Sequence, residues 1–141
     1  MIFAIDFDNT IAYSSNHHRI ISGLFDHVKT VIDELHDAGH YIIIWTCRRG
    51  KDLKNAIKYL DDNKIYYDKI NENMPDEDIK TSNKVFADYY IDDKSFPPKD
   101  INWHEIDNQL SMLGLFTNKD TEVDSMIDRV VSGDDIKKVL K

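Results

Sequence analysis

Apolar side chains fall along this chain in two rhythms. Residues 2–7 and 41–45 are short, nearly continuous apolar runs rich in β-branched and aromatic residues. They are too short for helices and predict strands buried on both faces, as in the middle of a parallel sheet. Between them Ile21, Leu24, Phe25, Val28, Val31, Ile32 and Leu35 recur at helical spacing, with Ser22 as a cap near the start and Gly39 just past the end. Leu53, Ile57 and Leu60 predict a second helix over residues 51–63. Shorter runs predict strands over residues 65–67, 85–91 and 101–106, the last at the sheet edge. Residues 9–19 and 68–82 are polar and read as loops. Strand alternating with helix implies an α/β, doubly wound, Rossmann-like parallel sheet with helices on both faces.

Beyond residue 109 the pattern changes. Val123, Ile127, Val130 and Val131 predict one short helix, Ser132-Gly133 breaks it, and Ile136, Val139 and Leu140 predict another. Residues 1–109 therefore read as a core. Residues 110–141 read as a helical C-terminal extension of the same domain, docked on it or shading a neighbouring subunit.

Composition narrows the functional classes. The 141 residues carry 18 Lys+Arg against 26 Asp+Glu, a net charge of −8, which disfavours nucleic acid or an anionic membrane as partner. No stretch approaches the ~20 apolar residues of a membrane span. The single cysteine, Cys47, excludes a disulfide framework and reads as a small buried residue. The first residues carry no basic leader, so a cytoplasmic location is expected.

With 21 aspartates, Asp-x-Asp spacing alone says little. Placement says more. Asp6-Phe7-Asp8 sits where a buried strand ends, the edge at which open α/β sheets bind ligands. Thr46 ends the second strand and Asp92-Asp93 the fourth, so these five residues should converge, with Lys84 in reach. Four carboxylates in one cleft repel each other, and a divalent cation relieves the conflict; an all-oxygen ligand set suits Mg²⁺. Metal, hydroxyl and ammonium together match the oxygens of a transferring phosphoryl group.

These segments resemble the haloacid dehalogenase (HAD) superfamily of phosphohydrolases. Its four motifs match Asp6-Phe7-Asp8-Asn9-Thr10, Thr46, Lys84 and Asp92-Asp93, in order, over residues 1 to about 106. Trp45-Thr46-Cys47-Arg48, the Ile70 to Asn73 segment and Ile91-Asp92-Asp93 make the chain most similar to small bacterial and phage HAD-like proteins. The resemblance implies strand order 5-4-1-2-3 and a Mg²⁺-dependent phosphatase acting through an aspartyl-phosphate. Asp6 is then the nucleophile and Asp8 the acid and base. Thr46 and Lys84 bind phosphate. Asp6, the Asp8 main-chain carbonyl and Asp92 hold the metal, with Asp93 a second ligand or an outer group. Asn9 replaces the family's usual glycine but tolerates left-handed backbone. Lys80 competes with Lys84 for the third motif.

No span is long enough for a cap domain. The open site implies a nucleotide or sugar phosphate as substrate, or a lid supplied by the tail or another subunit of a homo-oligomer. Arg48 follows Thr46 as a candidate substrate contact, with a salt bridge or plain solvation as the alternatives. His17 and His18 are candidates to touch the leaving group. The competing functional class is a non-catalytic HAD-like metal- and phosphate-binding module or subunit-interaction protein. A phospho-accepting receiver domain, with Asp68 after the third run, is the least consistent with the separated Asp6/Asp8 pair.

Overall fold

The computed structural model describes residues 1–15, 20–75, 83–97 and 99–116. Four strands, β1 (Ile2–Ile5), β4 (Tyr41–Ile44), β5 (Lys69–Ile70) and β6 (Tyr89–Ile91), form a parallel sheet in the order β5-β4-β1-β6. A separate antiparallel ribbon joins β2 (Ala12–Ser14) to β3 (Ile21–Leu24). The helices are α1 (Val28–Asp37), α2 (Gly50–Asp62) and α3 (Trp103–Met112).

The two apolar runs that predicted central strands are β1 and β4, paired in register from Ile2 with Tyr41 to Ile5 with Ile44. Alternation divides their side chains between two cores. Phe3, Ile5, Ile42 and Ile44 face Val31, Ile32 and Leu35 of α1, Leu60 of α2, and Trp103 and Leu110 of α3. Ala4 and Ile43 face Val85 and Ala87 on the other side. Each large side chain fully buried here contributes about 1.5–3 kcal/mol. All three described helices thus pack on one face, whereas helices were expected on both. The chain steps from β1 to β4 to β5 in one direction, and crossovers of one hand place their helices on one side.

Several elements differ from expectation. Residues 21–24 form β3 instead, with a register shift opposite Tyr13 and Ser14 and with Gly23 at φ 154°, a backbone other residues seldom adopt; α1 starts only at Val28. Gly39, at φ 89°, does follow the end of α1. Residues 65–67 are not a strand. The chain turns at Lys64 (φ 57°) and meets the free edge of β4 only where the Asp68 amide donates to the Ile42 carbonyl, so β5 is displaced to Lys69–Ile70. The expected strand over 85–91 shortens to β6.

The predicted edge strand at 101–106 is instead the start of α3. The Asn102 side chain accepts from the His104 and Glu105 amides, a helix cap followed three residues on by an acid. Among the described residues the fifth strand of the 5-4-1-2-3 order is therefore missing, while the other four keep that order. The boundary at 109/110 falls inside α3, whose Leu110 joins the core with Leu115. The tail helices expected beyond residue 122 lie outside the described residues. Among the described residues no helix is long and apolar enough to cross a membrane.

Candidate functional site

Parallel pairing carries on one residue beyond the named strands and brings the motif ends together. The Asp6 amide donates to the Ile91 carbonyl and the Trp45 amide to the Ile5 carbonyl, each at 2.9 Å. Asp6 thus sits between the ends of β4 and β6, with Thr46 beginning one flank and Asp92 the other. Past Asp6 the chain folds back on itself. The Phe7 carbonyl accepts from the amides of Thr10, Ile11 and Ala12, and Asn9 takes φ 55°, the left-handed turn its side chain was expected to tolerate.

Thr10, given no role from sequence, is the keystone of this loop. Its buried hydroxyl donates to Asp6 Oδ2 (3.3 Å) and accepts from the Asp93 amide (3.2 Å). Its carbonyl accepts from the Trp103 indole at 2.6 Å, which bolts the loop to the first turn of α3. The signal available was its place as the fifth residue of the first motif.

Carboxylate oxygens of Asp6, Asp92 and Asp93 all lie within 4.8 Å of one another. Burial, then the charge of Asp92, a hydrogen bond with Asp93 and the charges of Asp93 and Asp8 push the Asp6 carboxyl up to about 8. Among the described residues no ion pair reaches these three side chains. Such a set holds either a proton or a cation. Three hard oxygen donors at this separation fit Mg²⁺ and lack the nitrogen or sulfur that zinc favours.

Thr46 is buried and braced. Asn71, at φ 55°, accepts from the Thr46 amide (2.8 Å) and donates to the Thr46 carbonyl (2.9 Å). The Thr46 hydroxyl accepts from the Arg48 amide at 3.1 Å, which leaves its own proton to donate elsewhere. Arg48 itself does not reach out to substrate. Its side chain is 0% exposed and forks onto Asp8, with Nε donating to both carboxylate oxygens at 3.0 Å and Nη2 to Oδ1 at 2.7 Å. Cys47, expected to be buried, is exposed, because the turn that sends Arg48 inward sends its neighbour out.

The Lys84 ammonium lies 4.8 Å from the centroid of the exposed Tyr90 ring. Lys80, His17 and His18 lie outside the described residues. Asp68 accepts from the Ile42 amide and the Tyr66 hydroxyl at the start of β5, the end opposite to that a phospho-accepting aspartate would need. Beside the acidic cluster opens a cleft of about 650 Å³, lined by Asn9, Tyr13 and Phe25 on one side and Asp93, Lys99, Asp100 and Ile101 on the other.

No family model matches the sequence, and no curated protein matches it. Among solved structures, that of a conserved protein coded by a locus from Bacteroides thetaiotaomicron is similar to this chain. The TM-score is 0.68 at 27% identity, over 79% of this chain and 89% of that one. The likeness supports the α/β architecture and carries no activity with it.

Proposed function

We propose that this protein is a Mg²⁺-dependent phosphomonoesterase with an HAD-type core, hydrolysing a small phosphorylated substrate through an aspartyl-phosphate on Asp6. The observation that carries this reading is the meeting of Asp6, Asp92 and Asp93 at the carboxyl edge of the sheet, beside Thr46. The order β6-β1-β4-β5, equivalent to 4-1-2-3 of the expected order, supports it as well.

Asp6, Asp92 and Asp93 would hold Mg²⁺, which when bound offsets the charge that carboxylates and phosphoryl oxygens bring together. An Asp6 oxygen attacks phosphorus, and the bond from phosphorus to the leaving oxygen breaks. Asp8, carrying the proton it took from water in the preceding turnover, gives it to that oxygen. Water then attacks the phosphorus of the aspartyl-phosphate, Asp8 takes a proton from it, and the bond to Asp6 breaks to release inorganic phosphate. The Thr46 hydroxyl donates to a phosphoryl oxygen, and Lys84 swings from Tyr90 to another. The leaving group, a nucleoside or a sugar, occupies the cleft between Tyr13 and Asp100.

Release of phosphate from an aryl phosphate, present with Mg²⁺ and absent with chelator, is the expected result; no release from any phosphomonoester rejects the reading. The Arg48 fork, which occupies both Asp8 oxygens, favours a second reading, a non-catalytic metal- and phosphate-binding module. That protein would bind Mg²⁺ and inorganic phosphate without turnover.

A further inference from the structure

Arg48 is the most deeply buried charge described in the molecule, and stability does not account for it. A buried ion pair is often no more stabilising than apolar side chains of the same volume. The guanidinium also sits just ahead of α2, whose amino end carries a partial positive charge and disfavours a cation. It is held nonetheless by several contacts at once. Nη1 donates to the Asp52 carbonyl at 3.0 Å, and the guanidinium carbon stands 5.1 Å from the Phe7 ring centroid. The fork onto Asp8 then fixes that carboxylate in rotation as well as in place. One turn sets both groups, because the Arg48 amide also donates to the Thr46 hydroxyl.

We infer that Arg48 is a positioning residue for Asp8, aiming its carboxylate at the leaving oxygen and the attacking water without touching the substrate. The inference rests on the phosphatase reading and adds a residue to it. Misplacing a reacting group by an ångström costs on the order of 100-fold in rate. Loss of the fork should therefore appear in kcat and leave KM alone. A lysine keeps the charge but offers a single point in place of a planar fork, so it should recover little.

The test compares wild type, R48M, R48K and R48A with Mg²⁺ and an aryl phosphate, with the Mg²⁺-induced rise in Tm recorded for each as a check on folding and on the acidic cluster. The expected result is a kcat lower by roughly 100-fold in R48M and R48K, with KM unchanged. Millimolar guanidinium ion should restore part of kcat to R48A and none to D8N. Turnover by R48M like that of wild type, a loss confined to KM, or no rescue in a folded R48A overturns the role of Arg48 and leaves the phosphatase reading standing. Should R48A not fold, R48K decides, and near wild-type kcat there overturns the role. No turnover by wild type overturns the phosphatase reading itself.

Discussion

Two groups of three metal-ligating side chains stand on opposite sides of this molecule's electrostatics. At the sheet edge are Asp6, Asp92 and Asp93; between α1 and α3 are His27, Glu34 and Asp107. The second group contains its own compensation. His27 Nε2 lies 2.5 Å from Asp107 Oδ2, and its ring stacks at 4.2 Å on His104, which in turn pairs with Asp26 at 2.8 Å. Burial and the charge of Asp107 raise Glu34, while His27 pulls it back; the hydrogen bond from His104 lowers Asp26. Imidazoles and carboxylates close the set, and it clamps two helices. At the sheet edge oxygen faces oxygen, and the compensation must come as a proton or from solution. The difference teaches that acidity alone does not mark a site. A set of ligands left incomplete by its own neighbours does.

Replacing Asp6, the proposed nucleophile, should break the comparison most sharply. D6N is expected to lose at least about a thousandfold in turnover while remaining folded, whereas H27Q keeps turnover; steady-state assays on an aryl phosphate check both. D6N should also melt higher than wild type in chelator at pH 7, since the Asp6 carboxyl must take up a proton to fold there and an amide need not.

Metal response comes next in size. Mg²⁺ at a hundred times its dissociation constant should stabilise the protein by about 2.7 kcal/mol. D92A should weaken that gain more than D93A, and D107N should leave it intact. A Tm indifferent to Mg²⁺ at tens of millimolar would remove the sheet-edge group as a metal site.

The pH dependence in chelator has a definite sign. The Asp6 carboxyl is raised from 3.8 to about 8, so between these values the folded chain holds a proton that the unfolded chain has released. In chelator, stability from this group is fully present below pH 4 and falls as pH rises to 8, by at most about 1.4 kcal/mol per unit. D6N should flatten that slope in urea melts across the range. The smallest effect is expected at the closed set, where D107N costs about 1 kcal/mol by loss of its bond to His27.

Much of the site was legible before any coordinates, for a geometric reason. Parallel strands end on one edge, so residues that end buried runs must meet there, and Asp6, Thr46 and Asp92 do. What escaped was information carried by long-range contacts or by competing local signals. Of the three readings of Arg48, substrate contact, salt bridge and solvation, the structure shows the salt bridge; its partner was not legible, because Asp8 is forty positions away. Residues 21–24 carry only the helical period, and the ribbon accepts Ile21 and Leu24, three apart, through its register shift opposite Tyr13 and Ser14. At residues 101–106 the apolar spacing suited a strand, but the Asn102 cap and Glu105 outweigh it. Asn71 stands in the Ile70 to Asn73 segment of the resemblance, yet its grip on the Thr46 backbone appears only once β5 lies beside β4.

The bond from the Trp103 indole to the Thr10 carbonyl has an optical consequence. The chain holds two tryptophans, and the other, Trp45, directly precedes Thr46. Both fluorophores therefore report on one neighbourhood. One is tied to the loop whose hydroxyl touches Asp6 and the Asp93 amide, and the other is joined by a peptide bond to Thr46. Tryptophan emission from the unlabelled protein reads the sheet edge from both faces, Trp103 in the core under the helices and Trp45 packed against the core of Val85 and Ala87.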